Sequence, residues 1–414
     1  MKISLIRSLA ALALSAVNAA AVEPFVVTAT TTDNLPPVTL SSASPNFFDF
    51  ISSIVNTRGA FQTLTNRSYN GTMTFLGVRD AIQVSANAPG TAVNIALAPI
   101  GFNRTFTGPS KDAVDDQIER FFKTEGAGTI ADFLKAVAER SPIAVTDGNP
   151  NAATAVEAAT SFFGQGFTTL DELGAGLDAA AGAAQPRFGG ISLGLNTGKF
   201  EAGAFEGTLF EFSGTLLNVG GDTVRLVVPV HANYLELDGG SKVGGAGFSL
   251  TLPVRFQKMG KDNPINWRVT PLFGLSVRGS ADLASLSPLW TAGVVNTIDY
   301  RLAPKWVVSL VNQLTVHKSF SVSYDDLEFD PEVDQQILKN GIRVTTPLAR
   351  RVIADGFVID TRFLKDAAVE QFWTIGGSLA FRVAQRWNLV LGVNYDTGDD
   401  FKAFGVGITS AWRW

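Results

Sequence analysis

Residues 386–400 read RWNLVLGVNYDTGDD. Trp387, Leu389, Leu391, Val393 and Tyr395 fall on one side of an extended chain, while Arg386, Asn388, Asn394 and Asp396 fall on the other. A period of two is the mark of a strand with one apolar and one polar face. Aromatic residues close both ends of the apolar side. Eight residues at about 3.3 Å each, tilted by about 40°, cover roughly 20 Å, close to the height of an outer-membrane apolar band. The same layout recurs in Trp267, Val269, Phe273, Leu275 and Val277, and in Phe248, Leu250, Leu252, Val254 and Phe256. A soluble two-sheet protein would show polar faces to water. Here the charges alternate away from the aromatic-ended face, so that face is read as facing lipid.

A short repeat gives these strands a direction. YRLAPKWVVSL (residues 300–310) and FRVAQRWNLVL (381–391) share aromatic, Arg, aliphatic, Ala, any residue, basic, Trp. Each reads as a descending strand, a short turn and an ascending strand, with aromatics at the membrane interface on both sides. Trp267, Trp306, Trp387, Tyr300, Tyr395 and Phe381 are the expected interface girdle. Continuing the pattern gives ascending strands near 189–198, 222–236, 265–278, 305–318, 351–362 and 386–396, and descending strands near 203–216, 244–257, 288–301, 337–346, 370–383 and 401–414. The expected fold is an all-β transmembrane antiparallel β-barrel of about 12 strands over residues 188–414, preceded by a small α+β N-terminal domain. An even count puts both barrel ends on the periplasmic side.

The composition agrees. In 414 residues only 17% are charged, against about 25% in an ordinary globular chain, and there are 40 glycines, 30 phenylalanines and 7 tryptophans. The net charge of −5 predicts no affinity for nucleic acid. Cysteine is absent, which excludes disulfides, thiol chemistry and a lipoprotein anchor. The chain opens on MKISLIRSLAALALSAVNAAAVEPF: Lys2 and Arg7, an apolar run from Leu9 to Val17, then Ala19, Ala20 and Ala21. Residues 1–21 are therefore expected to be a cleaved signal peptide. Residues 22–45, rich in Thr, Ser, Ala and Pro, are expected to be an extended linker.

Residues 46–187 are expected to hold strands in GTMTFLGVRDAIQVSAN and TAVNIALAPIGFNRTFTG, then three helices. In the first helix Ser110 caps and Val114, Ile118, Phe121 and Phe122 share a face. In the second, Ile130, Phe133, Leu134 and Val137 do so before Pro142, and an alanine-rich third helix spans NPNAATAVEAATSFFGQGF.

The signal peptide, the dyad strands and the terminal SAWRW together resemble bacterial outer-membrane β-barrel proteins. Trp412 and Trp414 are similar to the terminal signal that the barrel-assembly machinery reads in that superfamily. The resemblance implies insertion in the cell outer membrane, with outer-membrane lipid and that machinery as partners. EPFVVTATTTD, residues 23–33, resembles the energy-coupling segment of TonB-dependent receptors and implies TonB-like coupling there. The remainder is too short for that family's plug and barrel of about 22 strands.

Candidate chemistry is sparse. His231 and His317 are the two histidines, on separate strands, and no catalytic or nucleotide-binding motif appears, so the chain reads as a non-enzyme that takes no cofactor. Arg225, Arg255, Arg268, Arg278, Arg301, Arg343, Arg382 and Arg413 alternate toward the inside, where Glu211 and Asp299 are among the few acids. These charges either pair and fill a narrow lumen, or make it favour anions or an acidic insert. Residues 22–187 carry six more acidic than basic side chains and can be that insert. Asp325, Asp326, Glu328 and Asp330 crowd one external loop, as oxygen ligands for Ca²⁺ or simply as solvated charge.

The function read first is a channel for passive passage of small, anion-favoured solutes, plugged or regulated by the N-terminal domain, because the lumen arginines speak for it. The alternatives are an autotransporter-like translocator that displays residues 22–187 at the cell surface and a non-transporting structural or adhesive barrel.

Overall fold

The computed structural model describes residues 22–414 except 48, 51–63, 65, 124–126, 144–189, 222, 261, 284, 321, 325–326, 330–332, 350, 385 and 414. The signal peptide, the third helix and Trp414 lie outside the described residues.

The N-terminal domain is a six-stranded antiparallel sheet. Its strands are β1 (Phe25–Thr31), β2 (Thr39–Ser44), β3 (Tyr69–Phe75), β4 (Val78–Ala86), β5 (Ala92–Leu97) and β6 (Phe102–Thr107), in the order β2-β1-β3-β4-β5-β6. Two helices follow, α1 (Lys111–Lys123) and α2 (Ala127–Arg140). The expectation of a linker over 22–45 is overturned, since β1 and β2 occupy it and pair from Phe25↔Ser44 to Thr30↔Thr39. FVVTATT is β-branched and alternates in burial, and Ser/Thr/Pro composition hides such a strand. The expected strand over 71–87 is a hairpin, turned at Leu76 and Gly77, both with positive φ.

Ser110 caps α1, its Oγ accepting from the Ala113 N–H at 3.3 Å. Val114 and Phe121 are buried against Phe106, with Ile118 beside them. Arg104 lies 4.2 Å from the ring centroid of Phe121. On α2 only part of the expected stripe is buried: Phe133 and Val137 are inside, whereas Ile130 and Leu134 are exposed.

The barrel strands are β7 (Gly190–Ala202), β8 (Phe205–Gly220), β9 (Arg225–Leu237), β10 (Lys242–Thr251) with β11 (Val254–Gln257), β12 (Ile265–Ser280), β13 (Ser285–Ala303), β14 (Trp306–Ser319), β17 (Asp334–Ala349), β18 (Val352–Phe363), β19 (Gln371–Ala384), β20 (Trp387–Gly398) and β21 (Phe401–Arg413). A small hairpin, β15 (Val322–Tyr324) and β16 (Leu327–Phe329), lies between β14 and β17. Every barrel strand pairs antiparallel with its neighbours in sequence. β21 closes onto β7 from Phe401↔Ala202 to Arg413↔Gly190, and β12 receives both β10 and β11. β10 and β11 are one wall strand, broken at Pro253, which has no N–H to give the ladder. The result is a closed barrel of twelve strands.

Its two ends differ. At the end holding Gly190 and Arg413, connections run from two residues, at 304–305, to seven, at 258–264. The other end carries residues 320–333, the longest connection, together with 364–370. We call these the turn end and the loop end.

Candidate functional site

The outer wall is apolar. Leu193, Leu195, Phe273, Leu275, Leu391, Val393, Phe404 and Val406 are all exposed on it, far more contiguous apolar surface than a soluble monomer shows. Aromatics ring both edges. Toward the turn end stand Trp267, Tyr300, Trp306, Trp387 and Trp412, all exposed, with Phe381 half-buried among them. Trp387 and Trp412 stack at 6.4 Å and 3°, and Trp387 donates to Ser410 Oγ at 2.7 Å. Trp267 donates to Asn296 Oδ1 at 2.8 Å. Toward the loop end stand Tyr395 and also Trp373, Tyr234 and Phe210. Sequence reading missed these last three, although their alternation with inward Thr374, Asn233 and Glu211 marks them. No helix among the described residues is long and apolar enough to cross a membrane.

The inner wall is polar and shielded. Arg225, Arg255, Arg268, Arg278 and Arg343 all lie inside, each no more than 9% exposed. Asp299, 1% exposed, binds this wall together: Arg268 approaches it at 3.7 Å, Asn266 donates to it at 2.7 Å and Ser309 donates at 2.7 Å. Asn196 donates to Glu211 at 2.9 Å, and Ser378 donates to Asp355 at 2.6 Å. His231 and His317 sit on β9 and β14, separated in the wall by β10, β12 and β13. Thr291 and Thr315 hold the His317 ring nitrogens at 2.9 and 3.1 Å.

Two of the arginines are less shielded than these. Arg301, half-buried at the turn end, donates to the Gly260 carbonyl at 2.9 Å and ties two turns together. Arg382 is half-buried in the same rim, at a register shift between β19 and β20. The side chain of Arg413 is outside the described residues, as are Asp325, Asp326 and Asp330. Glu328 falls on β16. Among the described residues no cluster of three or more metal-ligating side chains occurs.

The loop end is capped by the N-terminal domain. One apolar cluster runs unbroken from the cap into the barrel mouth: Phe25, Phe50, Leu76, Phe133, Val137 and Ile143 pack with Phe200, Phe205, Leu235, Leu237, Ile337, Phe363, Phe372 and Phe401. Each such side chain contributes about 1.5–3 kcal/mol when fully buried, so this contact is part of the molecule's core. Gly77 sits so close to the Phe205 ring that a Cβ would lie 2.6 Å from its Cζ. Asp282 fastens the rim, accepting from Asn46 Nδ2 and the Lys242 N–H at 2.8 Å each, while its carbonyl takes the Phe47 N–H at 2.7 Å. Residues 23–33 thus supply β1, an interior strand paired on both edges, with Phe25 fully buried.

A closed twelve-stranded antiparallel barrel with an apolar aromatic-edged exterior and a polar interior is the fold of outer-membrane β-barrel proteins. No family model and no curated protein matches the chain. Among solved structures it is similar to the beta domain of the Bordetella autotransporter BrkA, at 12% identity and TM-score 0.42 over 55% of this chain and 99% of that one. It is similar also to the translocator domain of the autotransporter NalP from Neisseria meningitidis, at 11% and 0.42 over 63% and 99%. The COG4313 outer membrane channel from Pseudomonas putida F1 aligns at 11% and 0.41 over 56% and 97%.

Proposed function

We propose that the protein is an outer-membrane anchor of the translocator kind, which carries its N-terminal domain on the outward mouth of the barrel and presents it there. The observation behind this reading is the apolar cluster shared by cap and loop end. An interface this apolar opposes movement of the domain off the mouth. The orientation follows the rule that short turns lie in the periplasm and longer loops outside, which makes the loop end external. Barrel-assembly machinery and outer-membrane lipid remain the proposed partners, and the cell outer membrane the proposed location. Protease treatment of intact cells tests the reading. Cleavage at the exposed Lys111 of the cap before lysis supports it, and cleavage there only after lysis overturns it.

A second reading, a channel gated by the cap, is favoured by the arginines at Arg268, Arg278 and Arg343. It predicts anion-selective conductance in planar bilayers once the cap is loosened, with the selectivity reduced by Arg268→Ser.

A further inference from the structure

The sheet of the cap has one polar and one apolar face. Thr28, Thr72 and Gln83 stand in a row on the first. On the second, Val27, Met73 and Ile82 form one row, and Ala29, Gly71 and Val84 form the next row away from the barrel. The nearer row packs against the cluster that joins cap and barrel, and Val93 packs under α1. Between these two packed regions the sheet is low, because Ala29 and Gly71 bring little or no side chain. Crowding does not require the glycine. A Cβ on Gly71 would meet the Thr28 carbonyl oxygen at 3.5 Å and the Ala29 Cβ at 3.8 Å, both ordinary contacts.

The result is a cavity of about 340 Å³ over this low row, bordered among the described residues by Leu64, Arg67, Tyr69, residues 87–90 and the start of α1. That volume falls within the range of small-molecule sites. An engineered cavity of about 150 Å³ in another protein holds benzene, so there is room here for a phenyl ring with a head group attached.

The polar groups at the border divide by role. Arg67 is bound to Asp33 and donates to the Pro36 carbonyl at 3.0 Å. Asn87 donates to Thr91 Oγ1 and accepts from the Ala92 N–H at 3.0 Å each. These two build the walls. Lys111 and Asp115 both border the cavity, are exposed, and stand one helical turn apart on the same face of α1. Burial, and then the charge of Asp115, raise the pKa of the Tyr69 phenol, so that carboxylate lies within electrostatic reach of the hydroxyl. A cation and an anion at one mouth select by charge. A simple carboxylate meets Lys111 but also Asp115, and a simple amine meets the reverse. A ligand with both charges at one end and an apolar body at the other satisfies each. We infer that the cap binds a free amino acid with an apolar side chain, the side chain lying over Gly71, the ammonium toward Asp115 and the carboxylate toward Lys111. This goes beyond presentation of the cap and holds on whichever side of the membrane the cap stands.

The chain has no cysteine, so Ala88→Cys takes a single trifluoromethyl label at the border of the cavity. The full-length protein, folded in detergent, is titrated with L-phenylalanine while the fluorine resonance is followed, and a saturable shift is expected. Phenylpropanoate lacks the ammonium and phenethylamine lacks the carboxylate. Each loses one ion pair and meets one like charge, so each is expected to bind about tenfold more weakly. Gly71→Leu fills the hollow and is expected to abolish the shift while the cap keeps its resistance to protease. The absence of a saturable shift with phenylalanine, equal affinity for the three ligands, or a shift that survives Gly71→Leu overturns the inference. The ligand comparison is made with Gly71 in place, so it decides the matter even where Gly71→Leu unfolds the cap.

Discussion

Gly376 and Phe357 face each other across β18 and β19 on the inner wall. A Cβ on Gly376 would lie 2.5 Å from the Phe357 Cζ and 2.7 Å from the Val393 carbonyl oxygen. The ring and the backbone cannot both yield, so Gly376→Ala is expected to destabilise the barrel by about 1–3 kcal/mol, read as a lower denaturant midpoint. Gly356→Ala, where the nearest atom is a carbonyl oxygen at 3.9 Å, is expected to change stability by less than about 0.5 kcal/mol. Equal effects would show that the Phe357 ring does not set the packing. Two carboxyls in the cap titrate with opposite consequences. The hydrogen bond from Arg67 holds the Asp33 carboxyl below its usual range. The folded state thus binds that proton less tightly than the unfolded chain, and the contribution is present above the ordinary carboxylate pKa and lost as pH falls through the depressed one. Burial, and then the negative Asp366, push Glu139 upward against opposing pulls from Lys135 and Arg140. Its contribution is present below the ordinary glutamate pKa and lost as pH rises through the raised one. Thermal melts of Asp33→Asn are expected to lose part of the acid-side fall, and those of Glu139→Gln to gain stability at neutral pH; an unchanged pH profile in both contradicts these roles.

At the scale of elements, all twelve wall strands were legible from sequence, because lipid outside and polar groups inside impose a strict period of two on each. The boundaries moved by a few residues, as at β13, which runs from Ser285 to Ala303. What sequence obscured was β1 and β2, where Val and Thr carry the strand but Ser, Thr and Pro dominate the count. It also obscured the depth of the arginines. Alternation tells inside from outside, yet it does not separate the half-buried Arg301 and Arg382 at the turn end from the fully shielded Arg268 and Arg343. The closing pair β20 and β21 offers an element-level prediction. Trp387 and Trp412 stack across it, so single alanine substitutions should each lower the heat resistance of the barrel. A double-mutant cycle should give coupling of about 0.5–1.5 kcal/mol. Strict additivity would mean that each ring acts only through its own contact with lipid.

For the whole molecule, the feature that sequence left open is where the N-terminal domain sits. The residues that decide it, Phe25, Leu76 and Phe133 on one side and Phe205, Leu237 and Phe372 on the other, carry no local pattern that announces a partner so distant in the chain. Asp282→Ala removes the acceptor of Asn46 Nδ2 and of the Lys242 N–H. It should weaken the cap's hold by about 1–3 kcal/mol, seen as faster proteolysis of the cap while the barrel's heat-modifiable migration is kept. The account as a whole turns on the cap being outside. Thr107 is exposed on the cap and Lys305 is exposed in a turn at the opposite end. With Thr107→Cys and Lys305→Cys made separately, intact cells are treated with a membrane-impermeant maleimide. The account predicts that the cysteine at 107 is labelled at once and the one at 305 only after the outer membrane is permeabilised. Labelling of 305 but not 107 in intact cells would contradict it.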